Sequence, residues 1–212
     1  MNKYLKLFPL FGILGVIFYF LHVIIGTALY EGYNSFAQAI SDLTATNSPS
    51  RQIASIFSML YGIFAVIFTV GLFIYFKGKL NKIVTMAIFI FCLMNIISFF
   101  GYTFFPLTEA GYAGTFQDIM HMVVTVLVVV FTIISIVLFT IGFFRTQQYK
   151  IMGVISLGTF ILLIMGAILI NILPNEYFGV AQRINAFSVV IYTGILTVFM
   201  YRFDNITNEQ KE

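Results

Sequence analysis

The chain has two histidines, His22 and His121, and each sits within or at the edge of a long apolar run. Asp118 precedes His121 by three residues, so on a helix the two share a face. A carboxylate beside an imidazole is the arrangement of an oriented general acid or base, and the same atoms can ligate a metal. His22 would then be the third ligand. Metal sites ordinarily gather several His, Cys or carboxylate groups, so three readings stay open here. They are acid–base or substrate contact, a metal held by His22, His121 and Asp118, and a hydrogen bond between helices. Thr115 and Asp118 also have capping-box spacing, which gives that carboxylate a structural use. Ser41 is a candidate nucleophile and Asp42 a second candidate for orienting the base. Adjacency in sequence, however, does not place Ser41 beside a histidine in space.

Two arginines point toward anions. Ser48-Pro49 reads as the N-cap and first residue of a helix. Arg51 then falls in the first turn, where the positive end of the helix dipole disfavours a cation. A nearby anion is expected, either Asp42, Glu31 or Asp118, or a bound ligand. Arg183 stands in a similar place at the start of the sixth apolar run. Two arginines together with several helix N-termini suit a phosphate or carboxylate head group. His22, His121, Arg51, Arg183, Glu31, Asp42, Glu109, Asp118 and Glu176 all fall toward one face of the molecule. Polar groups within a membrane domain are costly and usually face a cavity or each other. An outward-opening polar pocket is therefore expected, with Arg51, Arg183, His22 and Asn95 as its ligand-binding residues.

The elements that must carry these residues follow from composition. Hydrophobic residues make up 60% of the 212 and charged residues 9%, too few to coat a soluble globule. Apolar runs cover Phe8–Leu29, Ile53–Phe76, Ile83–Phe105, Ile119–Phe144, Ile151–Leu173 and Ile184–Tyr201. Each is close to the roughly 20 residues that span a hydrocarbon core. A bilayer offers the backbone no water, so these runs must be helices; the shorter alternating segments of a β-barrel are not seen. The predicted fold is an all-α integral membrane bundle of six transmembrane helices, a single domain over residues 1–212. Leu7 to Leu29 is longer than the roughly 7–15 residues of a signal-peptide core, so it is read as a retained helix. Cys92, inside the third run, is the one cysteine and has no partner for a disulfide. A formal net charge of +3 is no sign of nucleic-acid binding.

Basic residues orient the chain. Lys3, Lys6, Lys77, Lys79, Lys82, Arg145, Lys150, Arg202 and Lys211 lie on one side, against Arg51 and Arg183 on the other. The positive-inside rule puts both termini in the cytoplasm. Tyr4, Tyr30, Tyr102 and Tyr201 fall near run ends, as an interfacial belt does. The cytoplasmic turns are minimal, whereas the first outer connection, Tyr30 to Gln52, can hold structure. Within it Ser35 precedes Gln38 by three, and Phe36, Ile40 and Leu43 share a helical face. A short amphipathic helix at the interface is predicted, with Gln38, Ser41, Asp42 and Ala45 on its other side. An inverted three-plus-three repeat is not supported, because corresponding loops differ greatly in length.

The segment from Asn34 through Ser41-Asp42 to Ser48-Pro-Ser-Arg51 resembles the signature of an uncharacterised family of bacterial six-span membrane proteins, domain of unknown function 998. Phe105-Pro106, Asp118 to His121, and Gly179-Val-Ala-Gln-Arg183 continue the resemblance over nearly the whole chain. It implies a six-span fold in a bacterial plasma membrane and makes Ser41, Asp42, Arg51, Pro106, His121 and Arg183 motif positions. It implies no reaction and no cofactor. A looser similarity is to membrane hydrolases of the ceramidase and adiponectin-receptor type, which set a Ser, an Asp and three His around zinc. This chain has Ser41 and Asp42 but only His22 and His121, so zinc amide hydrolysis is not expected.

The functional expectation is an outward-facing membrane protein that binds, and in an enzymatic version modifies, a lipid or other amphiphile with an anionic head. In that version His121 is the acid or base. Alternatives are a small proton-coupled transporter or channel using His22 and His121, and a non-catalytic accessory or immunity-type subunit. Membrane lipids are the expected partners; a protein partner or homo-oligomer is left open. The orientation makes a direct prediction. In a Cys92→Ala background, single cysteines at Asn47, Gly111 and Asn175 react with an impermeant thiol reagent on intact cells, and those at Gly78, Gln147 and Asn208 do not. The reverse pattern would invert the topology.

Overall fold

A computed structural model describes residues 7–208. Lys3, Tyr4, Lys6 and Lys211, used above to orient the chain, lie outside the described residues. Six long helices carry the fold: α1 (Phe8–Leu29), α2 (Arg51–Phe76), α3 (Lys82–Phe104), α4 (Phe116–Phe144), α5 (Lys150–Ile172) and α6 (Phe178–Asn208). Their lengths of 22 to 31 residues correspond to roughly 33–46 Å at 1.5 Å per residue, enough to cross a bilayer. All six are apolar enough to span a membrane. No strand occurs among the described residues. Each helix packs on its neighbours in sequence, and α6 closes on α1, so the bundle is a ring.

The outer surface shows what the solvent is. Ile151 is 77% exposed and Ile172 68%, and exposed Ile, Leu, Val and Phe recur along every helix. Such a surface is as apolar as a core, and lipid is the medium that tolerates it. The two ends of the ring differ. At the short-loop end, Gly78 takes the left-handed conformation at φ +81° to turn α2 into α3, which glycine does without a Cβ clash. Asn81 then caps α3 by accepting from the amides of Ile83 and Val84, and donates to the Gly142 carbonyl of α4 at 2.7 Å. The half of the ring above this end is filled with rings. Phe76 stacks on Phe199 at 5.4 Å, and Phe91 and Phe139 meet at 6.1 Å. Phe68, Phe76, Phe91 and Phe139 have no exposed surface.

The long-loop end carries loop A (residues 30–50), loop B (105–115) and the short link before α6. The element predicted in loop A is present as a single 3-10 turn, Ile40–Thr44, rather than a longer amphipathic helix. Ile40 and Leu43 are buried as expected, but Asp42 and Ala45, predicted for the aqueous side, are buried too, at 2% and 0% exposure. Phe36 is 62% exposed. The reason is that loop A is covered on both faces. Leu43 sits where a Cβ on Gly26 would come within 3.1 Å of it, so α1 admits the loop through that glycine. Ile40 joins Tyr19, Val23 and Val190 in a small second core between α1 and α6. Helix ends lie within a residue or two of the apolar runs for α1 to α3 and for α5. Helices α4 and α6 begin earlier, at Phe116 and Phe178.

Candidate functional site

Loop B is wound between two buried carboxylates. Asp118 has no exposed surface. Its Oδ1 accepts from the Thr108 amide at 2.8 Å, its Oδ2 from the amides of Ala113 at 3.0 Å and Thr115 at 3.2 Å, and the Thr108 hydroxyl donates to both oxygens. Thr115 Oγ1 returns the capping bond by accepting from the Asp118 amide. The predicted capping box is therefore real, and it engages both oxygens of this carboxylate. On the other side of loop B, Asp42 accepts from the Gly111 amide at 3.1 Å and the Ala39 amide at 3.0 Å. Charge-assisted bonds of this kind compensate a buried carboxylate that has no cation beside it. Burial pushes the Asp42 carboxyl above the usual carboxylate range, with the Gly111 and Ala39 amides pulling the other way. To bring these amides together the chain takes positive φ at Gly111, Tyr112 and Gly114. Tyr112, at φ +80°, is a conformation that a bulky residue holds only when its surroundings impose it. Backbone pairing completes the join, with the Thr46 amide donating to Leu107 O at 2.7 Å and Asn47 to Thr108 O at 3.3 Å.

Loop A is latched to α6 by the segment Gly179 to Arg183. Arg183 Nη1 donates to the carbonyls of Gln38 at 2.9 Å and Gly179 at 3.0 Å, and Nη2 to the Tyr33 hydroxyl at 2.6 Å. Tyr33 passes the bond on to Ala39 O at 2.7 Å. Gln182 Oε1 accepts from the Ile40 amide and the Val180 amide donates to Phe36 O. Gly179 is required by close approach, since a Cβ there would lie 2.5 Å from Gln38 O and 2.6 Å from Ser35 O. Arg183 is in the second turn of α6 rather than at its start, so the helix-dipole argument does not apply to it.

The remaining candidates do not assemble as a catalytic set. His121 is oriented by Phe105, whose carbonyl accepts from Nδ1 at 2.8 Å, rather than by Asp118 or Asp42. The neutral ring thus keeps its proton on Nδ1 and presents Nε2 as an acceptor. Tyr102 lies against this ring at 4.8 Å and bonds Thr125. Ser41 offers its carbonyl to the Thr44 hydroxyl, and among the described residues no hydrogen bond joins it to His121. Arg51 is exposed, and its Nη1 reaches the Thr46 carbonyl at 3.3 Å in place of the expected carboxylate. Asp42 and Asp118, the expected partners, are already engaged by amides and a hydroxyl. Asn95 turns its amide back to Phe91 O on its own helix. His22 is buried with neither ring nitrogen bonded. The ligand set His22, His121 and Asp118 is not formed: among the described residues no three His, Cys, Asp or Glu side chains come together in a way that could hold a metal.

The cavity that does involve a candidate residue is a groove between α5 and α6, about 670 Å³ in volume. Ser35, Phe36 and Arg183 line it together with Leu162, Phe187 and Ile191. None of His22, Ser41, Asp42, Arg51, Asn95, Asp118 and His121 lines it. At Asp42 and Asp118 the expected polar pocket is replaced by closely bonded loops, whereas His22 and Asn95 stand on α1 and α3. Of the residues missed in the sequence, Gly179 and Gln182 act through backbone partners far along the chain, Tyr33 through the Arg183 side chain, and Thr108 through the Asp118 carboxylate. Gly179 and Gln182 stood within a motif, but nothing local indicated what they would touch.

This arrangement predicts that Asp42 holds loop A to loop B. Asp42→Ala strands the Gly111 and Ala39 amides, and leaving such donors unmade costs about 2 kcal/mol. Hydrogen exchange should accelerate at Gly111, Ala39 and Thr46 together, with the helix cores unaffected. Unchanged protection at Gly111 and Ala39 would show that the carboxylate is not the clamp.

No curated protein and no solved structure matches this chain. Over residues 13–199 it matches the model of a family described as protein of unknown function (DUF998), and a match of that extent makes this multi-pass membrane protein a member of that family.

Proposed function

We propose that the protein binds a lipid or similar amphiphile with an anionic head, taken from the surrounding bilayer into the α5–α6 groove. The observation that carries this reading is the state of Arg183. A guanidinium has five N–H donors, and three are given to Gln38 O, Gly179 O and the Tyr33 hydroxyl. The other two are uncommitted on a side chain that lines an apolar groove. A cation with spare donors above an apolar wall matches a phosphate or carboxylate with an acyl chain below it. Within the same reading, the positive-inside count directs the long-loop end outward, which puts the groove's head-group end in the outer leaflet. A transport path is less favoured, because the short-loop half of the ring is filled by Phe68, Phe76, Phe91 and Phe139. Catalysis is not part of the proposal, since among the described residues Ser41 makes no hydrogen bond to His121.

Arg183 also latches loop A, so the decisive variant is elsewhere. Gly158 lines the groove, and a Cβ there meets nothing within 4 Å. Gly158→Phe fills the groove without disturbing the loops. In delipidated wild type, anionic lipid should raise thermal stability more than zwitterionic lipid of the same chains, by about 2.7 kcal/mol at a hundredfold excess over Kd. Gly158→Phe should unfold like wild type without lipid and lose most of that gain. Equal stabilisation by both lipids, or a full response from Gly158→Phe, would refute the proposal.

A further inference from the structure

Phe187 is one of the residues that line the groove. It also packs edge-on against Tyr19 at 6.2 Å and tilted against Phe20 at 5.3 Å, so it stands between the groove and Tyr19. Behind it lies an uncharged polar cluster. Tyr19 is 4.9 Å from Tyr61 and 6.1 Å from His22, between ring centroids. His22 is 5% exposed, and neither Nδ1 nor Nε2 has a hydrogen-bond partner. The Tyr19 and Tyr61 hydroxyls belong to the same cluster, in which the His22 nitrogens are the atoms fully enclosed without a partner. Tyr61 is half-buried.

Unbonded polar groups at this depth have no bulk water to turn to, and native interiors seldom leave them so. An imidazole and two phenols each donate and accept, and none is charged. The group that satisfies them is a neutral hydroxyl. An anion would meet no cation behind Phe187. The depths also agree. His22 is seven residues from the end of α1, about 10 Å in, and Arg183 five residues from the start of α6, about 7.5 Å in.

We infer that the amphiphile held at Arg183 carries hydroxyl groups beside its charge, and that these pass Phe187 to bond His22, Tyr19 and Tyr61. This rests on the groove reading above and adds the substrate class. Entry needs a rotamer change of the Phe187 ring and no movement of the loop clamp.

The test uses phosphatidylglycerol and phosphatidylethanol with identical acyl chains, titrated against the full-length protein. Each carries one phosphodiester charge, and only the first has head-group hydroxyls. Wild type should bind phosphatidylglycerol about tenfold more tightly. The difference should vanish in His22→Leu and shrink in Tyr61→Phe, with both variants keeping the wild-type response to phosphatidylethanol. His22→Leu should be at least as stable as wild type without lipid, because it removes an unbonded polar group. If it fails to fold, Tyr61→Phe carries the test. Equal affinity for the two lipids, or a difference that survives both substitutions, overturns the inference. In the first case, tighter binding of both than of phosphatidylcholine leaves the anionic-head reading standing, whereas equal binding of all three removes that as well.

Discussion

Asp118 and Asp42 face each other across loop B and collect its amides, and the long-loop end of the molecule depends on that convergence. A chain segment entering the end of a membrane bundle brings N–H and C=O groups into a place where water is scarce, and each must find a partner. Here Asp118 takes the amides of Thr108, Ala113 and Thr115, and Asp42 those of Gly111 and Ala39. The carboxylates gain as much as the amides do, since no cation need be buried to compensate them. The left-handed Tyr112 is held by the same bonds.

Fixing loop B fixes loop A, and loop A in turn occupies Arg183. Thr46 and Asn47 pair with the loop B backbone, Ile40 enters the core between α1 and α6, Leu43 seats on Gly26 of α1, and the strip from Gly179 to Arg183 receives the carbonyls of Phe36 and Gln38. Arg183 is thereby held rigid by neutral oxygens, with no carboxylate in hydrogen-bond contact among the described residues, on the border of an apolar groove. A positioned cation of this kind loses little conformational entropy when an anion arrives. At the short-loop end the cation Lys79 lies over the Tyr75 ring, 3.5 Å from its centroid. The connections there are a glycine turn and an asparagine cap above a packed aromatic half.

The six spans could be read from the sequence because a bilayer demands about 20 apolar residues per helix, which is a local property. The reading slipped where helices carry polar residues for other parts of the chain. Helix α6 begins six residues before Ile184 because Gln182 and Arg183 are helical yet bonded to loop A. The same holds for α4, whose first turn contains Asp118. The Thr115–Asp118 cap was visible, since its spacing is fixed by helix geometry. The pairing of Asp42 with Gly111, 69 positions apart, was not. For Arg51 charge logic offered a carboxylate or a bound anion, and two of the carboxylates, Asp42 and Asp118, are engaged by backbone amides instead. The helical spacing of Phe36, Ile40 and Leu43 was real, but long-range bonds from Ile40 to Gln182 and from Gly111 to Asp42 shortened the element to one 3-10 turn.

The central claim is that Arg183, and not the other arginines, meets an anionic head group in the membrane. Magic-angle-spinning NMR can measure ³¹P–¹⁵N dipolar dephasing between lipid phosphate and arginine side-chain nitrogens in bilayers containing anionic lipid. The account predicts strong dephasing at the Arg183 guanidinium, at hydrogen-bonding separation, lost when Gly158→Phe fills the groove. Dephasing at Arg51, Arg145 or Arg202 with none at Arg183 would contradict it.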